Sequence, residues 1–362
     1  MNDDWQLFTN TNQARTDIDW EHDLPEPPSW RRFDQKTEER KRRFVAPPGT
    51  REVVNAALYL RRPLLITGKP GTGKSSLAYA IAYELGLGEV LKWPINTRST
   101  LQEGLYRYDA IARLRESERQ KPVGGKSQGG DMEEREEGEE REEREEREEK
   151  EDIGKFLQLG PLGTALIPRE NEAERKKPRI LLIDEIDKSD IDLPNDLLNV
   201  FEEGEFDIPE LVRIKAQTDT VHVATFYRQE GEQRTYPVKD GKVQATTFPF
   251  VVMTSNGERE FPPAFLRRCL RLEMPNPNQE DLEKIVRQHL VDESQEFTEA
   301  MQALVTEFWQ YQQRRERNLA TDQLLNAIYL LVEQALPTDK TEDAQKKRKN
   351  LLDKLFESLG HF

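Results

Sequence analysis

Cysteine is nearly absent: Cys269 is the single thiol in 362 residues, and the four histidines are scattered without metal-ligand spacing. One thiol excludes an internal disulfide framework and fits a reducing compartment. Long apolar runs are missing as well, since none approaches the roughly 20 residues that a membrane-spanning helix needs. The first residues, MNDDWQLFTN, lack the basic-then-apolar order of a secretory signal. The expectation is a cytoplasmic protein with no membrane association. Nor is there a basic excess, because 54 Lys+Arg stand against 69 Asp+Glu for a net charge of −15. Most of that imbalance is local: Asp131 to Asp152 holds 15 acids and 5 bases. The remainder of the chain is close to balanced, so no basic coat for nucleic acid is expected, although a small patch is not excluded.

What is present is ordered along the chain. Residues 1–44 mix acids, amides and prolines around Trp5, Trp20 and Trp30 without sustained periodicity, which predicts a mostly disordered polar arm. Its tryptophans either dock on a partner or fold back on the body. The basic run from Arg31 to Arg43 reads as a solvated helix, with phosphate contact as the other option. Residues 45–275 alternate strand-like and helical patterns. The apolar runs RPLLIT, VLKWPIN (90–96), RILLID (179–184), PFVVMTS (249–255) and CLRLEM (269–274) predict strands. Alternation with helices predicts a parallel sheet covered on both faces.

Two segments interrupt that pattern. A charged stretch over 121–152 with repeated Glu-Glu-Arg triplets predicts a surface insert, either a solvated single helix or disorder. It is placed between a helix, LYRYDAIARLRESE, and the segment FLQLGPLGTAL. From Phe206 to Phe250 the runs are short and β-prone, with Asp240-Gly241 as a hairpin turn; such hairpins either face a substrate or pack on the chain's own surface. Residues 276–362 are purely helical in pattern, with four apolar stripes: Leu282, Ile285, Val286 and Leu290; Phe297, Met301, Leu304, Val305 and Phe308; Leu324, Leu325, Ile328, Leu331 and Val332; and Leu351, Leu352, Leu355, Phe356 and Leu359. They predict a second, all-helical domain.

The strongest chemical signal is Gly68-Lys69-Pro70-Gly71-Thr72-Gly73-Lys74-Ser75, followed by Ser76. It matches the phosphate-binding loop pattern in full, and a strand run precedes it while a helical pattern with Leu77, Ala78, Ile81, Ala82 and Leu85 follows. In this arrangement backbone N–H groups and the positive helix end surround a β-phosphate, Lys74 reaches the β and γ oxygens, and Ser75 holds Mg²⁺. The glycines are required because side chains would block the close approach. A second signal, Ile180-Leu181-Leu182-Ile183-Asp184-Glu185-Ile186-Asp187, is an apolar strand ending in two acids, Asp184 and Glu185, and ligands of open α/β sheets bind at that end. Asp184 is expected in the Mg²⁺ shell and Glu185 as the group that orients and deprotonates the attacking water.

Together with LYRYDAIARL, GPLGTAL and LIDEIDKSDIDLPNDLLNVFEEGEF, these motifs resemble the AAA+ ATPases and, more closely, their MoxR-like branch, over about residues 45–340. The resemblance implies a P-loop core with a five-stranded parallel sheet, a small helical lid and a ring, usually hexameric, with ATP and Mg²⁺ at subunit boundaries. It implies an ATPase that remodels or activates a protein client, in such families often a protein with a von Willebrand factor A domain. It places Asn256 as the polar sensor 1 residue, in a Ser-Asn-Gly stretch that also reads as a plain strand-end turn. It also places an arginine finger at Arg267 or Arg268, with Cys269 and the following strand favouring Arg268. The sensor 2 arginine is missing from its expected helical turn, with Arg317 as a substitute from the preceding loop and Thr321 as the helix N-cap. Cys269 is expected to be a buried small residue and not a nucleophile. The alternatives are a nucleic-acid-directed motor of clamp-loader or restriction type, and a nucleotide-dependent scaffold with little turnover.

Overall fold

The computed structural model describes residues 7, 18–19, 21–28, 44–120, 152–227, 234–291, 296–314, 319–333, 335–336 and 341–356. Trp5, Trp20 and Trp30, the basic run to Arg43, the insert up to residue 151 and the loop holding Arg317 lie outside the described residues. The described residues fall into two compact units, one made from 51–66 and 84–272 and the other from those of 1–50, 67–83 and 273–362.

The strands, in chain order, are β1 (Leu64–Thr67), β2 (Leu91–Pro94), β3 (Tyr106–Tyr108), β4 (Leu157–Leu159), β5 (Ile180–Asp184), β6 (Glu205–Asp207), β7 (Thr220–Ala224), β8 (Thr235–Lys239), β9 (Lys242–Gln244), β10 (Phe250–Ser255) and β11 (Leu270–Glu273). The five apolar runs form one sheet in the order β11-β1-β10-β5-β2. Its centre is dry: Ile180, Leu181, Leu182 and Ile183 are fully buried, as are Val251, Val252 and Met253 on the next strand. Both neighbours of β5 run parallel to it, with Phe250 opposite Ile180 and Leu91 opposite Leu181. Burial on both faces explains why these strands read as continuous apolar runs and not as alternation.

A second sheet, in the order β3-β4-β7-β8-β9-β6, was only partly expected. The stretch LYRYDAIARLRESE is not one helix. Tyr106–Tyr108 pairs antiparallel with Leu157–Leu159, and a helix starts afterwards at Ala110, capped by Asp109 Oδ1 accepting the Ala112 N–H at 2.8 Å. Long-range pairing thus overrides a locally helical pattern. At the C-terminal boundary expected for the insert, Asp152 opens a 3-10 turn that runs to Phe156. The Asp240-Gly241 turn joins β8 to β9 with φ of 55° and 74°, and it lies against Leu211 and Val212, with the Gly241 carbonyl accepting the Ile208 N–H at 2.8 Å. That turn packs on its own chain.

In the other unit, helices Gln279–Val291, Glu299–Arg314, Thr321–Val332 and Glu342–Leu355 enclose a separate core of Leu282, Val286, Leu304, Phe308, Leu324 and Phe356. Phe356 stacks edge-on with both Phe308 and Tyr311. The same unit carries the helix Lys74–Glu84, which stops before Leu85; that leucine is exposed and outside the helical stripe. The Glu26 backbone carbonyl, in the N-terminal segment, accepts the Tyr329 hydroxyl at 2.5 Å.

Candidate active site

The glycine loop is shaped by close approaches. Gly68, Gly71 and Gly73 have φ of 150°, 78° and 84°, a region that side chains rarely tolerate. A Cβ on Gly71 would lie 2.4 Å from that of Ala320, and one on Gly68 would lie 2.8 Å from the Met274 carbonyl oxygen. The loop is therefore held between the helical segment at 320 and the end of β11. Phe44 lies against Gly73. Lys74 is only 7% exposed, and its Nζ donates to the carbonyls of Gly68 and Lys69 at 2.7 and 2.8 Å. The ammonium is thus fixed within the loop's own curve. Thr72 Oγ1 adds a bond to the Lys69 carbonyl at 2.9 Å. The helix begins at Lys74, and the first turn of any helix leaves N–H groups without intrahelical acceptors. A buried cation, a helix start and glycines with no room for Cβ fit a nucleotide triphosphate with its Mg²⁺; Lys69, Pro70, Ser75 and Ser76 belong to the same loop and helix start.

Ala320 went unnoticed in the sequence. It occupies the N-cap position of Thr321–Val332, one residue before the expected Thr321. Alanine has no side-chain acceptor, so Gln323 caps in reverse, its Oε1 accepting the Ala320 N–H at 2.8 Å. A larger residue here would meet the loop at Gly71.

The acidic pair stands at the end of β5. Asp184 Oδ1 accepts from Thr254 Oγ1 at 2.7 Å, and its Oδ2 pairs with Lys92 Nζ at 2.6 Å. Thr254 in turn accepts the Glu185 N–H at 2.9 Å. One buried hydroxyl on β10 therefore ties both acids. Glu185 itself is left-handed, with φ 63°, and its Oε2 meets Lys188 Nζ at 2.7 Å. The hydrogen bond to Glu185 holds the Lys188 ammonium above the usual lysine pKa.

Asp187 joins this turn to the next. Its Oδ2 accepts the N–H groups of Asn256 and Glu258 at 2.8 and 3.1 Å, and the residue is 5% exposed. Asn256 sits where β10 ends, in a turn with Gly257 at φ 78°. Asp184, Glu185 and Asn256 are thereby brought together, through Thr254 and Asp187, two residues to which the sequence assigned no role. Arg267 and Arg268 end the helix Pro263–Arg268. Arg268 Nε bonds Glu202, with both side chains about half exposed at 46% and 48%. Cys269 is buried, and burial pushes its thiol up to about 12, which excludes a thiolate nucleophile at neutral pH.

A family model described as an AAA domain of the dynein-related subfamily matches residues 63–269, more than half of the chain. The chain belongs to the AAA family. The matched span of this AAA domain runs from the start of the central sheet to the residue after the arginine pair. A search of curated proteins finds no match. Among solved structures, the AAA chain is similar to domain III of the replication initiation protein DnaA from Thermotoga maritima, with 18% identity over 90% of this chain and 98% of that one and a TM-score of 0.39. It is also similar to an ATPase candidate from Cytophaga hutchinsonii, with 12% identity over 70% of this chain and 54% of that one and a TM-score of 0.33. Members of the AAA family bind and hydrolyse nucleotides, typically with Mg²⁺, and commonly form rings. Among the described residues no helix is long and apolar enough to cross a membrane.

Proposed function

We propose that this AAA protein is an Mg-dependent ATPase of the MoxR-like type, in which hydrolysis within a ring, a hexamer by resemblance, remodels or activates a protein client. The supporting observation is the acid turn: Asp184 and Glu185 share Thr254, and the sensor strand is anchored to the same turn through Asp187. In this reading Lys74 neutralises the β and γ oxygens of ATP, while the Gly68–Ser76 loop holds the phosphates through backbone N–H groups. Ser75 and Asp184 would hold Mg²⁺, which supplies charge neutralisation on the phosphate oxygens. Lys92 then has to release Asp184 or share it. Glu185 takes a proton from water as the water oxygen bonds to the γ-phosphorus and the bond to ADP breaks; Asn256 orients that water.

Arg268 stabilises the charge developing on the γ-phosphate of a neighbouring subunit. Its pair with Glu202 does not oppose this role. An exposed ion pair is worth about 0–1 kcal/mol, so exchange of the carboxylate for a phosphate is cheap. The client in this reading is a protein, with a von Willebrand factor A domain protein as the first candidate by resemblance.

The mechanism is tested by Glu185→Gln and Lys74→Ala. The first should lower turnover by about 10²- to 10⁴-fold with ATP binding kept, and the second should weaken ATP binding itself. Hydrolysis at the wild-type rate in Lys74→Ala would refute the assignment. Affinity capture on Glu185→Gln with ATP should retain the client, and equal capture on Lys74→Ala would contradict ATP gating.

A further inference from the structure

The chain segment entering β1 stands beside the end of the helix Pro263–Arg268 because β1 and β11 are neighbours in the sheet. The helix Thr50–Leu60 closes with Arg61 in the left-handed region at φ 54°, and the Arg62 N–H returns to the Ala57 carbonyl at 3.1 Å. Pro63 follows, and its carbonyl accepts the Leu270 N–H at 2.8 Å, the first link from β1 to β11. This turn aims the Arg62 side chain at the helix end. Nε donates to the Arg268 carbonyl at 3.1 Å, and Nη2 donates to the Arg267 carbonyl and reaches the Cys269 carbonyl at 3.5 Å.

Three consecutive carbonyls on one guanidinium are more than a generic cap. The last carbonyls of a helix lack intrahelical donors and carry partial negative charge, so a cation there is favourable. The fixed fork of an arginine can span them, whereas the point charge of a lysine cannot. The carbonyls it holds belong to both finger candidates. The peptide planes that set the direction of both side chains are therefore fixed by a residue some 200 positions earlier in the chain.

We infer that Arg62 is a positioning residue for the arginine finger, holding the backbone at Arg267 and Arg268 so that the finger is presented to the neighbouring subunit. The inference rests on the proposed trans role of that arginine pair. Arg62 touches neither nucleotide nor water in this role; it acts through the peptide groups it clasps. Small displacements of a catalytic group are costly, about 10²-fold for an ångström.

The experiment uses the full chain with Arg62→Ala and Arg62→Lys, beside Arg267→Ala, Arg268→Ala and Glu185→Gln, reading kcat, KM and the Kd of a fluorescent ATP analogue. Arg62→Ala should lower kcat by about 10- to 100-fold with KM and Kd unchanged, and Arg62→Lys should fall between it and the wild type. Mixing Arg62→Ala with Glu185→Gln should raise activity above the sum of the two alone, because intact fingers on one subunit then face intact acids on the other. Should Arg62→Ala not fold, the same mixture with Arg62→Lys decides.

Wild-type kcat in the Arg62 variants beside an inactive Arg267→Ala or Arg268→Ala would overturn the inference and leave the finger reading standing. Recovery on mixing for Arg268→Ala but not for the Arg62 variants would place the effect of Arg62 inside its own subunit and also overturn it. Unchanged kcat in both Arg267→Ala and Arg268→Ala would remove the finger reading itself, and this inference with it.

Discussion

Thr254 is 1% exposed and places one hydroxyl between the Asp184 carboxylate and the Glu185 N–H. Valine has nearly the same shape but no hydroxyl, so Thr254→Val leaves both groups one partner short. Loss of about 1–3 kcal/mol is expected in urea unfolding, together with a fall in kcat larger than any change in KM; an unchanged kcat would mean that the bridge is structural only. A second prediction concerns pH. The Cys269 thiol is raised from 9.0 to about 12, chiefly by burial, with the Arg62 charge acting in the opposite direction. A raised folded pKa gives stability that is intact below the unfolded value and is lost as pH climbs through the folded one. Between pH 9 and 12 the wild type should therefore lose stability more steeply than Cys269→Ala, by up to about 1.4 kcal/mol per pH unit, as read from denaturant midpoints. At this scale Asp184 and Glu185 were legible because an apolar run ends in them. Thr254 and Asp187 were not, because their partners are 69 or more residues away in the chain and only the sheet brings them close.

Helix Pro161–Leu166 shows what a family-like segment does physically. A Cβ on Gly163 would fall 1.9 Å from the Leu105 carbonyl oxygen, and one on Gly160 would fall 2.3 Å from that of Gly104. All six residues of the helix are buried. The Gly-Pro-Leu-Gly pattern is thus a packing device that lets two backbones meet. Gly163→Ala should cost at least about 1–3 kcal/mol as an overpacked contact, seen as a lowered thermal midpoint with the ATP Kd of the folded fraction unchanged. Three strands of the central sheet, β1, β5 and β10, could be read from the sequence because each is a buried apolar run, and β2 and β11 because apolar residues alternate with polar ones in them. The second sheet could be read only at its β7–β9 hairpins. Strands of three residues such as β3 and β4 carry too little pattern, and their pairing skips the whole insert between them.

At the scale of the molecule, each unit has its own core, one built on the central sheet and the other on four helices. The acidic segment is flanked on both sides by residues attached to the second sheet. Its flanks meet, with Tyr106 opposite Leu159 and the Asp109 N–H on the Phe156 carbonyl at 2.9 Å, so the chain leaves and rejoins the second sheet at one place. Replacing residues 121–151 with a short Gly-Ser linker should leave the fold intact, since shortening a closed loop fourfold changes its closure entropy by only about 1 kcal/mol, and in the favourable direction. The excised segment holds 14 acids and 7 bases, so the net charge would move from −15 to −8. The thermal midpoint and kcat are expected to match the wild type, because none of the residues assigned to phosphate, acid, sensor or finger roles lies in the segment. A reduced kcat would show that the excursion supports the ATPase core. Full turnover with lost capture on the Glu185→Gln trap would instead make this polyanion part of the client contact, recognising a basic surface whose binding should weaken as salt is raised.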